Sequence, residues 1–216
     1  MESFQKQAPN LLLPAFSIYR KSAMKEADLN DIARLVESAL PRFMRGDMSA
    51  EVTLSEEDLK IMADTALMQL ALTNFVKNAV DAMPNGGLLS LDTRRVRLGG
   101  ESLFDRFNFV GGSCALFSLA DTGIGIDEKT RERIFEPFFT TKTGSGAGLG
   151  LPIAYHIIKE HGGSINVGST PGQGTTINVY LPLAKGEMVS MMPIPLQAQY
   201  GKAYKQLLDF NSPACR

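Results

Sequence analysis

"ADTALMQLALTNFVKNAVDAM", residues 63–83, is the longest helix-periodic stretch in the chain. At 100° per residue, Leu72, Phe75, Val76, Ala79 and Met83 fall on one side. Asn74, Lys77, Asn78 and Asp81 share an arc of about 100° on the other. The apolar side calls for a core. The opposite stripe is amide-rich, and two Asn four residues apart are poor helix formers where Glu or Lys is the usual solvent-facing choice. An Asn carbonyl is also a neutral oxygen ligand suited to Mg²⁺ beside phosphate oxygens. Taken alone, such a stripe on an amphipathic helix reads first as a solvated face.

Outward from this helix, "PNGG" (84–87) is a turn, "LLSLDTRRVRL" (88–98) and "CALFSLAD" (114–121) read as strands, and residues 99–113 as the loop between them. Upstream, "DLNDIARLVESALPRFM" (28–44) begins with a capping Asp28 and spaces Ile32, Leu35, Val36, Ala39 and Leu40 as one apolar helix face, with Pro41 marking its end. "AEVTLS" (50–55) alternates as a short strand. Downstream, Asp127 starts a helix toward Phe135, residues 148–163 form a helix with a glycine stop, and "SINVGS" and "TTINVYLPL" are closing strands. The order lacks a strict βαβ rhythm. It predicts an α/β two-layer sandwich, a mixed and mainly antiparallel sheet covered by helices on one face. Residues 28–183 are the expected domain and 1–27 an approach segment. Residues 184–216 are a Met- and Pro-rich tail with a short helix over 201–210.

The whole chain has 216 residues, 44% hydrophobic and 21% charged, with a net charge of −1. That is the profile of a soluble globular protein without the basic excess that nucleic acid or an anionic membrane attracts. Cys114 and Cys215 have neither metal spacing nor disulfide density, which fits a reducing cytoplasm. No apolar run is long enough to span a bilayer, and the N-terminus has no signal pattern.

Three further stretches carry chemistry. In "DTGIGI" (121–126), Gly123 and Gly125 let the backbone approach a flat ligand, and Asp121 can accept a hydrogen bond from an exocyclic amine; alone, this is an Asp-Gly turn. "IFEPFFTTK" (134–142) places three Phe, read as core, before Thr140, Thr141 and Lys142, and the lysine can reach a phosphate or face water. "GSGAGLGL" (144–151) sets free N–H groups at a helix start, where an anion is favoured, without the Gly-Lys-Ser/Thr of a P-loop.

The order of these four pieces is more specific than any one of them. "NFVKNAVDAM" resembles the N box, "DTGIGI" the G1 box, "IFEPFFTTK" the F box and "GSGAGLGL" the G2 box of the GHKL superfamily, and within it of the sensor histidine kinases. The resemblance covers about residues 28–183. It implies the Bergerat fold, holding ATP between the sheet and a mobile lid over residues 140–148. It also implies that Asn78 coordinates Mg²⁺ with Asn74 close by, that Asp121 binds the adenine amine, and that Gly123 and Gly125 shape the adenine pocket. Lys142 would meet the terminal phosphates, and Gly146, Gly148 and Gly150 would hinge the lid. Asp81, Thr140, Thr141, Leu149 and Thr176 fall among the implied nucleotide contacts, and Asn74 and Lys142 take the catalytic roles.

Histidine kinases phosphorylate a His on a preceding two-helix dimerisation domain, and no such motif lies before residue 28. "LLLPAFSIYRKSAMKEADLN" (11–30) resembles the exit from that domain's second helix, so the expectation is a catalytic part of a longer, homodimeric kinase, whose partners are ATP, a histidine-bearing domain and a response regulator, with no nucleic acid. The domain would be cytoplasmic even if its parent were membrane-anchored. His161 reads as a helix C-terminal residue favoured by the dipole, and neither it nor His156 reads as the phosphoacceptor. A GHKL ATPase would want a carboxylate where Asn74 stands, to accept a proton from water. A Ser-directed kinase and a non-catalytic docking module stay open as alternatives.

Overall fold

A computed structural model of the chain describes residues 23–98, 112–142 and 147–184. Its centre is a five-stranded sheet in the order β2-β4-β5-β7-β6, formed by β2 (Met48–Thr53), β4 (Gly87–Leu98), β5 (Gly112–Asp121), β6 (Ser164–Thr170) and β7 (Gly174–Pro182). β2 runs parallel to β4 and every other pairing is antiparallel. Alternation sends Leu89 and Leu91, Ala115, Phe117 and Leu119, and Ile177, Val179 and Leu181 to one face. There they join a single core with the apolar sides of α1 (Leu29–Ala39), α2 (Thr65–Asp81) and α4 (Gly150–Glu160). This is the two-layer α/β arrangement expected from the sequence.

The α2 wheel holds: Leu72, Phe75, Val76, Ala79 and Met83 are all buried. Asp64 caps α2 by accepting from Ala66 N and Leu67 N. Asp28 caps α1 through Asn30 N at 2.8 Å. Other boundaries move. α1 stops at Ala39, and Leu40–Arg42 continue as a 3-10 turn because Pro41 cannot supply the next helical donor. Leu35, expected on the apolar face, is 47% exposed. The helix expected from Asp127 to Phe135 is one turn, α3 (Glu128–Arg131), followed by tight turns in which Arg133 N donates to Thr130 O and Glu136 N to Arg133 O.

Sequence reading missed a second, two-stranded sheet made by β1 (Lys25–Asp28) and β3 (Lys60–Ala63), which assigns residues 25–27 to the fold rather than to an approach segment. "KEAD" and "KIMA" are each four residues long, too short for alternation to declare itself. The loop 99–111, the tail from 185 and its expected helix, and residues 1–22 lie outside the described residues. Cys114 is buried, and burial pushes its thiol up to about 12, so it is inert.

Asn30 is a buried polar residue that the sequence did not single out. Its Nδ2 donates to Ser55 O at 3.2 Å and Glu57 O at 3.0 Å, and its Oδ1 accepts from Thr93 Oγ1 at 2.6 Å. One side chain thus fastens the turn before β3 to α1 and β4. Asn30→Leu strands two carbonyls and a hydroxyl, and is expected to cost about 2–3 kcal/mol of unfolding free energy in urea melts. A loss no larger than that of an ordinary surface substitution would show that the network contributes little.

Candidate functional site

Asp121 ends β5, 9% exposed, and its Oδ1 accepts from Gly123 N at 2.9 Å and Thr175 N at 3.3 Å. Burial pushes its carboxyl above the usual range, and the two N–H donors pull it partly back. Among the described residues Oδ2 has no protein donor, which leaves one carboxylate oxygen for a ligand. The following loop is clamped from both sides. Thr122 N donates to Leu88 O at 3.2 Å, Ile124 N to Ala82 O at 2.9 Å at the end of α2, and Gly172 N to Ile124 O at 2.7 Å. Gly123 presses against the Ala82 backbone and Gly125 against the Thr170 carbonyl, approaches that a side chain would block.

Thr176 stands elsewhere. It pairs with Ala120, so its side chain points to the sheet face opposite Asp121, and the neighbour on Asp121's own face is Thr175. The sequence expectation named Thr176, and the residue beside Asp121 in the sheet is Thr175. Thr175 Oγ1 also meets Ser169 Oγ at 3.0 Å. The signal was available: with Ile177, Val179 and Leu181 on the core face, alternation puts Thr175 there and Thr176 away from it.

On α2, Asn78 Nδ2 donates to Asn74 O at 2.8 Å, which aims Asn78 Oδ1 outward. Lys142 Nζ donates to that Oδ1 at 3.1 Å and to Asp81 Oδ2 at 2.6 Å. The structure therefore brings Asn78, Asp81 and Lys142 together across 61 residues of sequence. Asn74 faces the start of α4, where a Cβ on Gly150 would lie 3.5 Å from Asn74 Oδ1. Lys77 turns away, its ammonium 5.3 Å from the centroid of the Phe43 ring.

Not all of the Phe-rich segment is core. Ile134 is buried, Phe135 packs on Tyr155 with ring centroids 4.9 Å apart, Phe139 lies under the Arg133 guanidinium at 4.3 Å, and Phe138 is 46% exposed. Phe138 and Gly148 both have φ of 65°, and Phe138 N donates to Gly148 O at 3.0 Å. A Cβ on Gly148 would sit 2.6 Å from Phe138 C. Thr140 and Thr141 are exposed, with Thr140 Oγ1 accepting from Lys142 N at 3.1 Å. Leu149 is the residue before α4 and Gly150 its first, so N–H groups with no partner among the described residues gather beside Asn74. Gly146 lies outside the described residues.

His161 is buried and neutral in role, not a charge at a helix end as expected. Its Nε2 accepts from Asp64 N at 3.0 Å and its Nδ1 donates to Ile157 O at 2.7 Å, tying the end of α4 to the cap of α2. His156 lies 3.9 Å from the Glu160 carboxylate.

Residues 63–185 match the family model described as histidine kinase-, DNA gyrase B- and HSP90-like ATPase. The chain is 35% identical over 171 residues to the sensor kinase CckA of Brucella abortus, covering 79% of this chain and 18% of that protein. It is 34% identical over 187 residues to the signal transduction histidine-protein kinase AtoS of Escherichia coli, covering 85% of this chain and 28% of that protein. The chain thus spans less than a third of either relative. Among solved structures, a mycobacterial sensor histidine kinase, MprB, superposes with a TM-score of 0.60 at 25% identity, over 74% of this chain and 97% of that one. Full-length ShkA in complex with AMPPNP gives 0.58 at 28% identity, over 80% of this chain and 33% of that one. The fold is the Bergerat fold of histidine kinase catalytic domains. No helix among the described residues is long and apolar enough to cross a membrane.

Proposed function

The chain belongs to the histidine kinase-, DNA gyrase B- and HSP90-like ATPase family, and from that premise we propose that it binds ATP with Mg²⁺ and serves as the catalytic domain of a sensor histidine kinase. It would transfer the γ-phosphate to a His on a dimerisation domain, from which a response regulator takes it. The parent would be a homodimer with this domain in the cytoplasm, where ATP is.

The observation that carries this reading is the spacing along one flank of α2. Ala82 abuts the Asp121 loop and Asn74 abuts Gly150. Eight residues of helix separate them, about 12 Å of rise, the scale of a nucleoside triphosphate laid lengthwise. At one end Asp121 Oδ2 accepts the adenine amine in a nearly dry place. At the other, the N–H groups opening α4 meet phosphate oxygens. The oxygens of this end also suit a cation: Asn78 Oδ1 and Asp81 Oδ2 already converge on an ammonium at 3.1 and 2.6 Å, and Gly150 adds no side chain. Mg²⁺ there would neutralise phosphate charge. Asn78 would hold it, with Asn74 close by, and Lys142 would move onto the terminal phosphates, stabilising charge as the phosphoryl group leaves. Asn74 is an amide and cannot take a proton from water, so transfer is favoured over hydrolysis.

The 216-residue chain is expected to bind Mg·ATP in calorimetry and to lose most of that affinity in Asn78→Ala. With γ-labelled ATP it should neither label His156 or His161 nor release phosphate rapidly, and label should appear on a histidine-bearing helical domain supplied in trans. Acid-stable label on a partner would point to a Ser-directed kinase. Rapid phosphate release abolished by Asn74→Ala would establish an ATPase instead.

A further inference from the structure

Lys142 holds the two oxygens proposed above for a cation. Its Nζ contacts Asn78 Oδ1, the oxygen that the Asn78–Asn74 hydrogen bond aims outward, and is held there by Asp81 Oδ2. We propose that Asp81 and Lys142 form a charge latch that fills the cation position until a divalent ion displaces the ammonium. Asp81 is then a positioning residue acting through Lys142, as well as a carboxylate that the ion inherits. The inference rests on the nucleotide-site reading and adds an order to it: Lys142 is released to the phosphates by the ion's arrival.

Charge bookkeeping supports the exchange. Without the ammonium, Asp81 would present a bare negative charge to the triphosphate. Without the carboxylate, no anionic partner among the described residues would hold Lys142 away from the phosphates. When ion and nucleotide are both bound, Asp81 has the ion and Lys142 has the phosphates, so neither charge is left alone. The latch is also easily opened. The lysine side chain is 36% exposed and Asp81 is 55% exposed, and an ion pair so open to water is weak and salt-screened. Lys77, on the same stripe, shares none of this because it is occupied at the Phe43 ring.

Mn²⁺ serves as the probe, its binding to the nucleotide-free chain followed by electron paramagnetic resonance at low salt. Lys142→Met removes the competing ammonium and is expected to tighten Mn²⁺ binding by about two- to fivefold. Lys77→Met removes a like charge from the helix that carries Asn78 and Asp81 and is expected to leave it unchanged. In a second measurement, with ATP and a chelator, Asp81→Asn is expected to bind metal-free ATP about two- to fivefold tighter than the parent, because Lys142 is no longer held back. Equal gains in Lys142→Met and Lys77→Met would overturn the latch in favour of net charge alone, and so would no gain in Lys142→Met or in Asp81→Asn. A parent chain that fails to bind Mg·ATP at all overturns the nucleotide-site reading. A parent that binds it, with variants that gain nothing, overturns only the latch.

Discussion

Asp121→Asn is expected to bind ATP about tenfold to a hundredfold more weakly than the parent, and yet to unfold at a higher temperature at neutral pH. On the proposed adenine contact, the amide oxygen stays with Gly123 N and Thr175 N, so an NH2 group replaces the oxygen that accepts the amine, a mismatch worth on the order of 1–3 kcal/mol. The stability gain follows from the carboxyl's environment. Burial raises its folded-state pKa despite the Gly123 and Thr175 N–H groups, so the folded chain holds the proton to higher pH than the unfolded chain does. Stability from that proton is complete below the ordinary carboxylate range and is lost as pH rises through the raised value. At neutral pH the charged Asp121 is therefore a net cost, which an amide does not carry. The stability gap between variant and parent should close on acidification. ATP affinity of the parent should decline at higher pH than an ordinary carboxylate would give. Calorimetric titrations and melts over the acid range check both, and a variant that melts below the parent at neutral pH would show that the two N–H bonds outweigh the desolvation.

Gly174→Ala should be the more damaging change to the fold, costing on the order of 3 kcal/mol or more. Gly174 has φ of 89°, and a Cβ there would run into the Asp121 carbonyl oxygen, with Thr122 Cα 3.0 Å away. Both belong to the strand end that presents Asp121, the proposed adenine acceptor. Relief of the clash must move that end, so nucleotide binding should fail with stability. Gly172 is the matched control: its φ is 79°, but nothing lies within 4 Å of its missing Cβ. Gly172→Ala should cost only the left-handed backbone penalty, ~1–2 kcal/mol, and keep ATP affinity. Chemical denaturation of the two variants side by side separates crowding from backbone strain, and equal losses would mean that crowding at Gly174 is relieved without consequence.

The parts of the fold that the sequence announced are those where one period runs long enough to be counted. α2 shows a clean apolar side for 17 residues, β5 carries the apolar run Cys114–Phe117, and β7 alternates from Thr176 to Pro182. Asp121 and the Asn78 stripe were legible because each breaks its local habit, a carboxylate closing an apolar strand and amides where Glu or Lys would do. What stayed hidden depends on contacts remote in sequence. The β1–β3 ribbon exists because Lys25–Asp28 finds Lys60–Ala63, and neither segment says so alone. Asn30 looks like an ordinary helix-start residue until Ser55, Glu57 and Thr93 surround it. His161 sits at a helix end, where charge is the simple expectation, and only the Asp64 N–H, 97 residues away, makes it an acceptor. Hydrophobicity alone puts Phe138 in the core, but its backbone is bent to reach Gly148, and the ring is left outside.

The hydrogen bond from Phe138 N to the Gly148 carbonyl makes residues 139–147 a closed ring of chain with a fixed stem. Closing entropy rises only with the logarithm of the number of residues enclosed, about 0.6 kcal/mol for each doubling. Insertions and deletions within the ring should therefore be nearly neutral for folding, while a change at either stem residue should not. Lineages sharing this stem are free to vary the ring's length and composition without eroding the scaffold. The scaffold thus sets no limit on that stretch, and any constraint on it comes from what the ring meets.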